Sequence, residues 1–510
     1  MGPNKWPRKL STPSSSWHLP LYVPNVETAA TDKVVQESED PRLAQIWKSL
    51  EELPQPERIV HEETRKSSLC EDDVKAILKD PRLAELAGDD ELVTAVAFSV
   101  DEVKKGRRRF LVWPRILNQI LGHTAQFEIA SIEQVIAIVS KALEDESQQT
   151  FGLTADLKAA FFQHAITKKL GAWLVFSIRG KKIRLKVLPM GFVSSPEIQQ
   201  RISLAISRLI RQPILKNPTE RVVYLDNFAF FGVLKDMNSA KGLLQHLCSR
   251  YSVTLGAEPQ VEQVFPFLGL NFNLASKEVT VSDKSIEKLT AIKVGNEMDW
   301  RSFVSMVGLL FFCSSVLQIP LAQFYYAFKA YREFCAHPSA KVTLHKNSRE
   351  QFVVWQQVAM ANAPRSLKAL PQAAWTLFTD ASDEGFAIVL FQDMPSTHIF
   401  TYYKTWSEAR WWKDPKFLPP IAQREAYPVL VAGRLLREMG IPTEQVNLRI
   451  DNLTTMFSLK KQYSREYHLN NMIAHAPRFR SIQYVESKAN LADPFTRGQT
   501  DRQNQDNFVI

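Results

Sequence analysis

Thr154-Ala-Asp-Leu-Lys-Ala-Ala-Phe-Phe-Gln163 decides how this chain is read, because it ends an apolar run, Phe151-Gly-Leu, on a single carboxylate, Asp156. A lone Asp between apolar stretches is usually a turn residue. Further along, a second apolar strand turns tightly through Tyr224-Leu-Asp-Asn227, with Leu188-Pro-Met-Gly191 and a helical stretch between the two. Two hairpin carboxylates, Asp156 and Asp226, can then face each other and hold a pair of divalent metals roughly 4 Å apart. Around them, β-rich runs from about 110 to 270 alternate with stretches that read as helices over 197–211 and 238–252, an α+β pattern.

Composition bounds the answer. A chain of 510 residues with 45% hydrophobic content folds as several domains with real cores. The four cysteines, Cys70, Cys248, Cys313 and Cys335, form no Cys-x-x-Cys pair, which fits a reducing compartment rather than a zinc or disulfide framework. No signal-peptide layout and no uninterrupted apolar run of about 18 residues is present, so an intracellular protein in nucleus or cytoplasm, without a membrane partner, is expected. The net charge of +9 is modest, and its distribution says more than its size. Lys104, Lys105, Arg107, Arg108 and Arg109 form one basic run, and Lys181, Lys182, Arg184 and Lys186 another. Such runs are often only solvated faces; beside carboxylate metal sites they read as phosphate-facing surfaces with salt-dependent affinity for nucleic acid.

Residues 1–39 open on a Pro-, Ser- and Thr-rich stretch and read as disordered, and 40–95 read as helical, with Asp-Pro-Arg-Leu-Ala at Asp40 and again at Asp80, each explained by Pro at a helix start. The region 281–370 is mostly helical, and strands return at about 374. There a second catalytic pattern begins: Phe378-Thr-Asp-Ala-Ser-Asp-Glu-Gly385 reads as two strands around a tight turn, Arg424-Glu-Ala-Tyr427 opens a helix, Arg449-Ile-Asp-Asn452 ends a strand, and Asn490-Leu-Ala-Asp-Pro494 follows. In-line hydrolysis of a phosphodiester needs metals to activate water and to stabilise the leaving oxygen, and carboxylates hold such hard cations.

In order and local context, Asp380, Glu425, Asp451 and Asp493 resemble the four carboxylates of ribonuclease H, and the earlier segments resemble the palm of a reverse transcriptase. Over about 100–498 the chain is similar to the reverse transcriptase and ribonuclease H of a retroelement. Asp451-Asn-Leu-Thr-Thr-Met-Phe457 and Asn490-Leu-Ala-Asp-Pro-Phe-Thr-Arg497 resemble DIRS-like tyrosine-recombinase elements, including their VIPER branch, more than retroviruses.

The resemblance implies an α+β multidomain fold: a right-hand polymerase, with fingers and palm over 96–280 and a helical thumb or connection over 281–370, then a ribonuclease H-like mixed sheet over 371–498 and a tail, 499–510. It implies an RNA- and DNA-directed DNA polymerase acting on an RNA template, a DNA primer and deoxynucleoside triphosphates, joined to a nuclease for RNA/DNA hybrids. Each active site would take two Mg2+ ions, with Mn2+ as a substitute. Asp156 and Asp226 would bind metal, assisted by the carbonyl of Leu157, while Lys104 or Lys105 and Arg109 grip the triphosphate. Phe161 would exclude a ribose 2′-hydroxyl, although Phe162 follows it and one of the two must point inward. Met190 and Gly191 would lie against the nucleotide, and Phe267 to Leu270 against the primer.

Two departures from the pattern stand out. The turn usually ends Asp-Asp and here ends in Asn227, which loses a unit charge; a charge pair at about 4 Å and an effective dielectric near 20 is worth roughly 4 kcal/mol. Between Tyr484 and Asn490 the product-release His of many ribonucleases H is missing. Arg497 is the nearest substitute. These departures leave two other classes open: a defective or domesticated element acting as a nucleic-acid-binding scaffold, or a ribonuclease H alone.

Overall fold

The run ending at Asp156 is an inner strand, Thr150–Asp156, of a four-stranded antiparallel sheet. The sheet order is Gln260–Glu262, Thr150–Asp156, Asn227–Val233, Glu220–Tyr224. Its register sets Asp156 opposite Asn227. Phe228, Ala229, Phe230 and Phe231 are all buried, so both faces of that strand are covered. Helices Ser195–Arg208, Leu234–Arg250 and Ile132–Ala142 pack against the sheet. On Phe231, the ring of Phe265 stacks at 6.1 Å, bringing the hairpin Val264–Phe267 and Leu270–Asn273 onto the sheet. A Cβ on Gly152 would lie 2.3 Å from Phe265, so only glycine permits that approach.

This computed structural model describes residues 19–56, 63, 67, 69–122, 127–211, 215, 217–409 and 418–497. They form two compact units, one ending at Val279 and the other beginning at Thr280. The chain is α+β in both, the class expected from its patterning.

The unit ending at Val279 also holds a sheet in which Leu21–Tyr22 runs parallel to Arg107–Trp113, which pairs antiparallel with Val96–Glu102. A further sheet joins Ala84–Leu86, Lys181–Leu185 and Val175–Ile178. The expectation of disorder over 1–39 needs correction where the chain is described; residues 1–18, like the tail 499–510, lie outside the described residues. From Leu21 onward the segment is structured: Val26, Ala29 and Val34 are buried, and helix Thr31–Glu37 is tied down through Thr31 Oγ1 to His164 Nδ1 at 2.8 Å. Gln199 holds the other nitrogen of that ring at 2.9 Å. A few well-spaced apolar residues are enough to dock a segment whose composition is otherwise polar.

The helical reading of 40–95 holds for Pro41–Glu51, where Asp40 accepts from Arg42 N and Leu43 N, and for Glu71–Leu78. It fails at the second Asp-Pro-Arg-Leu-Ala. There Asp80 ties to Arg82, the Leu83 amide donates to the Asp80 carbonyl, and a turn leads into strand Ala84–Leu86 instead of a helix. Pairing with Lys181–Leu185 outweighs the local helix signal.

The reading of the two basic runs as phosphate-facing surfaces also needs correction, because many of their cations are taken up inside the fold. Arg107–Trp113 is a strand, so its side chains alternate, and Arg108 turns inward, 4% exposed, against Asp73 at 2.6 and 3.0 Å. In the second run Arg184 bonds Glu85 and Glu91, Lys186 pairs with Glu85, and Lys182 donates to the carbonyls of Asp89 and Glu91. The acids Glu71, Glu85 and Glu91, with two backbone carbonyls, take up these cations.

In the other unit, helix Trp300–Leu317, capped by Asp299, buries Phe303, Met306, Leu310 and Cys313 in an aromatic core with Phe334, Phe352 and Trp355. Among the described residues it is the one helix long and apolar enough to cross a membrane, and its packed face is that of a core helix. Beyond it lies a five-stranded sheet of order Thr397–Thr405, Gly385–Gln392, Trp375–Ala381, Val446–Ile450, Ser481–Tyr484. The first three strands are antiparallel; the last two run parallel to Trp375–Ala381. Helix Ile421–Glu438 packs on its centre. All four cysteines are free thiols.

Breaking a buried ion pair leaves an uncompensated charge and costs roughly 3–5 kcal/mol. Arg108→Ala should lower the stability of its unit by about that much in urea denaturation, whereas Arg109→Ala, one residue on, should change it by about 0.5 kcal/mol or less. Equal losses in the two variants would contradict the inward placement of Arg108.

Candidate active sites

At the first site, Asp226 sits in the turn between Glu220–Tyr224 and Asn227–Val233, where Leu225 takes a left-handed conformation with φ of 53°. Such a backbone costs a non-glycine residue energy unless its surroundings fix it. The buried side chain of Gln200 does so: its Nε2 donates to Val223 O at 3.0 Å and its Oε1 accepts from Leu225 N at 2.6 Å. Nothing in the sequence marks Gln200 beyond a Gln pair on a helix of mixed composition, Ser195–Arg208. The Leu157 amide donates to the Asp226 carbonyl at 2.9 Å, locking the two carboxylate-bearing segments together. Burial first, and then the charge of Asp156, push the Asp226 carboxyl above its ordinary range, and Arg109 opposes them. Asn227 points Nδ2 at Asp226 Oδ1, 3.0 Å away, so its amide works here as a donor to the neighbouring carboxylate.

Gly256 lies against Asp156: a Cβ there would come 2.2 Å from the carboxylate, and Gly256 N donates to Asp156 O at 2.7 Å. A groove of about 320 Å³ runs from Asp156 and Asn227 past Glu258 to Phe267, Leu268 and Gly269. Phe162 is the inward ring, stacked on Phe110 at 6.3 Å, and Phe161 is half-buried. In the Leu188-Pro-Met-Gly191 loop, Met190 is half-buried, and Gly191 crosses strand Arg107–Trp113 so closely that a Cβ would meet Val112 O at 2.5 Å. Asn118 pins this loop through Gly191 O and Val193 N, at 2.8 and 2.9 Å. Lys104 and Lys105 lie exposed in the short turn Val103–Lys105, and Arg109 is paired with Glu102.

At the second site, Asp380 on Trp375–Ala381, Glu425 on Ile421–Glu438 and Asp451 just past Val446–Ile450 bring one carboxylate oxygen each within 4.8 Å of one another. Burial pushes Glu425 up to about 9, with the charges of Asp380 and Asp451 adding to it; burial likewise lifts Asp380 to about 6. Glu425 Oε2 is buried without a hydrogen-bond partner. Converging carboxylates with an unsatisfied oxygen suit a hard divalent cation with oxygen ligands. Asp493 stays outside this trio, paired with Arg497 at 2.9 Å, although its charge reaches Asp380. Thr496 and Asn490 lie in the stretch Asn490–Arg497, where the sequence assigns neither a role. Thr496 Oγ1 donates to Asp380 Oδ2 at 2.7 Å, and Asn490 Nδ2 to Thr379 O at 3.0 Å. Asp383, next to the site in sequence, is exposed and held by Arg424 at 2.5 Å.

No family model and no curated protein matches the chain. Among solved structures it is similar to the foamy viral protease-reverse transcriptase. With dsDNA bound, that protein is 13% identical, covering 91% of this chain and 99% of that one at a TM-score of 0.48. With an RNA/DNA hybrid bound, it is 12% identical, covering 96% and 66% at a TM-score of 0.49.

The sign of the Glu425 shift gives a test. Its carboxyl titrates near 4.5 in the unfolded chain and about 9 in the fold, so metal-free stability from this group falls as pH rises through that window. Glu425→Gln should therefore raise the melting temperature of the metal-free protein at pH 8 by about 2–4 °C, as roughly 1 kcal/mol does for a unit of this size, with no gain at pH 4. Magnesium or manganese should stabilise the wild type more than the variant. A variant that melts lower at pH 8 would show that Glu425 is not held against its ionisation.

Proposed function

We propose that this chain is an RNA- and DNA-directed DNA polymerase joined to a ribonuclease H, acting inside the cell in the replication of a DIRS-like retroelement. The observation that carries the reading is the presence in one chain of two separate carboxylate sites at strand ends on two different sheets. Divalent ions bound at each would activate the attacking oxygen and stabilise the leaving one. The chain's own residues then position and exclude. Gln200 and Leu157 hold the turn bearing Asp226, Phe161 lies on the face where a sugar would pass, and the groove from Asp156 to Gly269 takes the primer end. Arg109 and the neighbouring lysines meet the triphosphate. In the second site Thr496 orients Asp380, and Asp493 with Arg497 stands at the rim where product leaves.

Ribonuclease H activity alone is a second reading, favoured by the tight trio at Asp380 set against Asn227 in the first site. Primer extension and hybrid cleavage, measured side by side, separate the two. Asp226→Ala should abolish extension and spare cleavage, and Asp451→Asn should do the reverse, each with a loss of at least about a hundredfold. A wild type that cleaves and never extends would establish the second reading; loss of both activities in either folded variant would refute two independent sites.

Phe161→Ala should raise ribonucleotide incorporation at least about tenfold, since about 1.4 kcal/mol of removed steric discrimination suffices. Phe162→Ala should instead cost roughly 3–5 kcal/mol of stability. Unchanged sugar discrimination in a well-folded Phe161→Ala would remove that residue from the sugar face.

A further inference from the structure

The hairpin of Val96–Glu102 and Arg107–Trp113 carries the cations assigned to the triphosphate, and it also carries a carboxylate among them. Glu102 is directly opposite Arg107 in the register, and Arg109 projects from the same face two residues on. One Glu102 oxygen accepts from Arg107 Nε at 2.6 Å; the other pairs with Arg109 Nη2 and lies 3.9 Å from Lys105 Nζ. Three cations thus share one carboxylate whose side chain is only 13% exposed. The cluster keeps an excess of positive charge, as an anion site does.

The two arginines are not held alike. Arg107 has a second restraint, its guanidinium lying 3.6 Å over the ring of Tyr22. Arg109 is 45% exposed, and it is the cation whose field reaches Asp226. An incoming polyanion would therefore draw Arg109 and Lys105 away while Arg107 stays on Glu102.

We propose that Glu102 is an internal latch on the triphosphate site, a carboxylate that occupies Arg109 and Lys105 in the resting protein and that a nucleoside triphosphate must displace to bind. The idea rests on the polymerase reading for its substrate, and its geometry is independent of turnover. Holding Arg109 pre-oriented lowers the conformational cost of gripping a phosphate, while competition for the same N–H donors weakens the net affinity for any polyphosphate. Glu102 in this role is a positioning residue that sets specificity for strongly charged anions, since a monoanion would not dislodge a carboxylate already bonded there.

Tripolyphosphate binding to the full-length protein, measured by calorimetry, tests the latch without polymerisation. Glu102→Gln should bind tripolyphosphate three- to tenfold more tightly than wild type and should gain affinity for monovalent acetate analogues of the displaced side chain. Glu102→Asp, which keeps the charge on a shorter arm, should fall between the two. In primer extension the Gln variant should show a KM for deoxynucleoside triphosphate lowered by a similar factor. Equal or weaker tripolyphosphate binding by a Gln variant that melts normally would overturn the latch, as would absence of binding in both proteins. If the calorimetric gain appears and no primer is extended by any form, the latch stands and the polymerase reading is what fails.

Discussion

Carboxylates forced close together at the ends of strands repel one another, and much of the surrounding structure serves to hold them against that repulsion. At the second site the cost shows in Glu425, pushed up to about 9 by burial and by its neighbours, with one oxygen left without a partner. Thr496 gives Asp380 one compensating donor, and Asn490 fixes the backbone beside it. At the first site Asp226 is carried on a left-handed turn that would relax without Gln200 and Leu157. In both places the direct hydrogen bonds come from neutral groups, while the cations Arg109 at the first site and Arg424 and Arg497 at the second act on Asp226, Glu425 and Asp380 only through their fields.

Positive charge is handled by the opposite means, through strand alternation and pairing. Three consecutive arginines, Arg107 to Arg109, end in three environments: a shared carboxylate under a tyrosine ring, a buried pair with Asp73, and a half-exposed place within reach of Asp226. The net charge of +9 is therefore a poor guide to how much cationic surface is open. In the run from Lys181 to Lys186, acids contributed by residues 71–91 satisfy most of the charge internally.

Close backbone approach is the third recurring constraint, and it explains why particular glycines stand where they do. Gly256 lets a loop lie on Asp156, and Gly191 lets the Leu-Pro-Met-Gly loop cross Val112. Each brings a loop distant in sequence within a few ångströms of a strand that carries or borders the first site. A side chain at either would push the two segments apart before any chemistry could be organised.

Two kinds of local signal are legible in the chain alone: Asp156 and Asp226 close or border apolar runs, and the period of hydrophobicity is a local property, whereas Asp380, Glu425 and Asp451 stand out by resembling, in order and local context, the carboxylates of ribonuclease H. The α+β class was legible from that same period. Tertiary structure decided the rest. Whether Phe161 or Phe162 faces the core depended on Phe110, whether the second Asp-Pro-Arg-Leu-Ala became a helix depended on a strand about a hundred residues later, and the segment from Leu21 to Glu37 gained its order from His164 and Tyr251. Gln200 and Thr496 act through partners that no spacing rule brings near them, since a hydrogen bond between distant segments exists only once packing has fixed both ends.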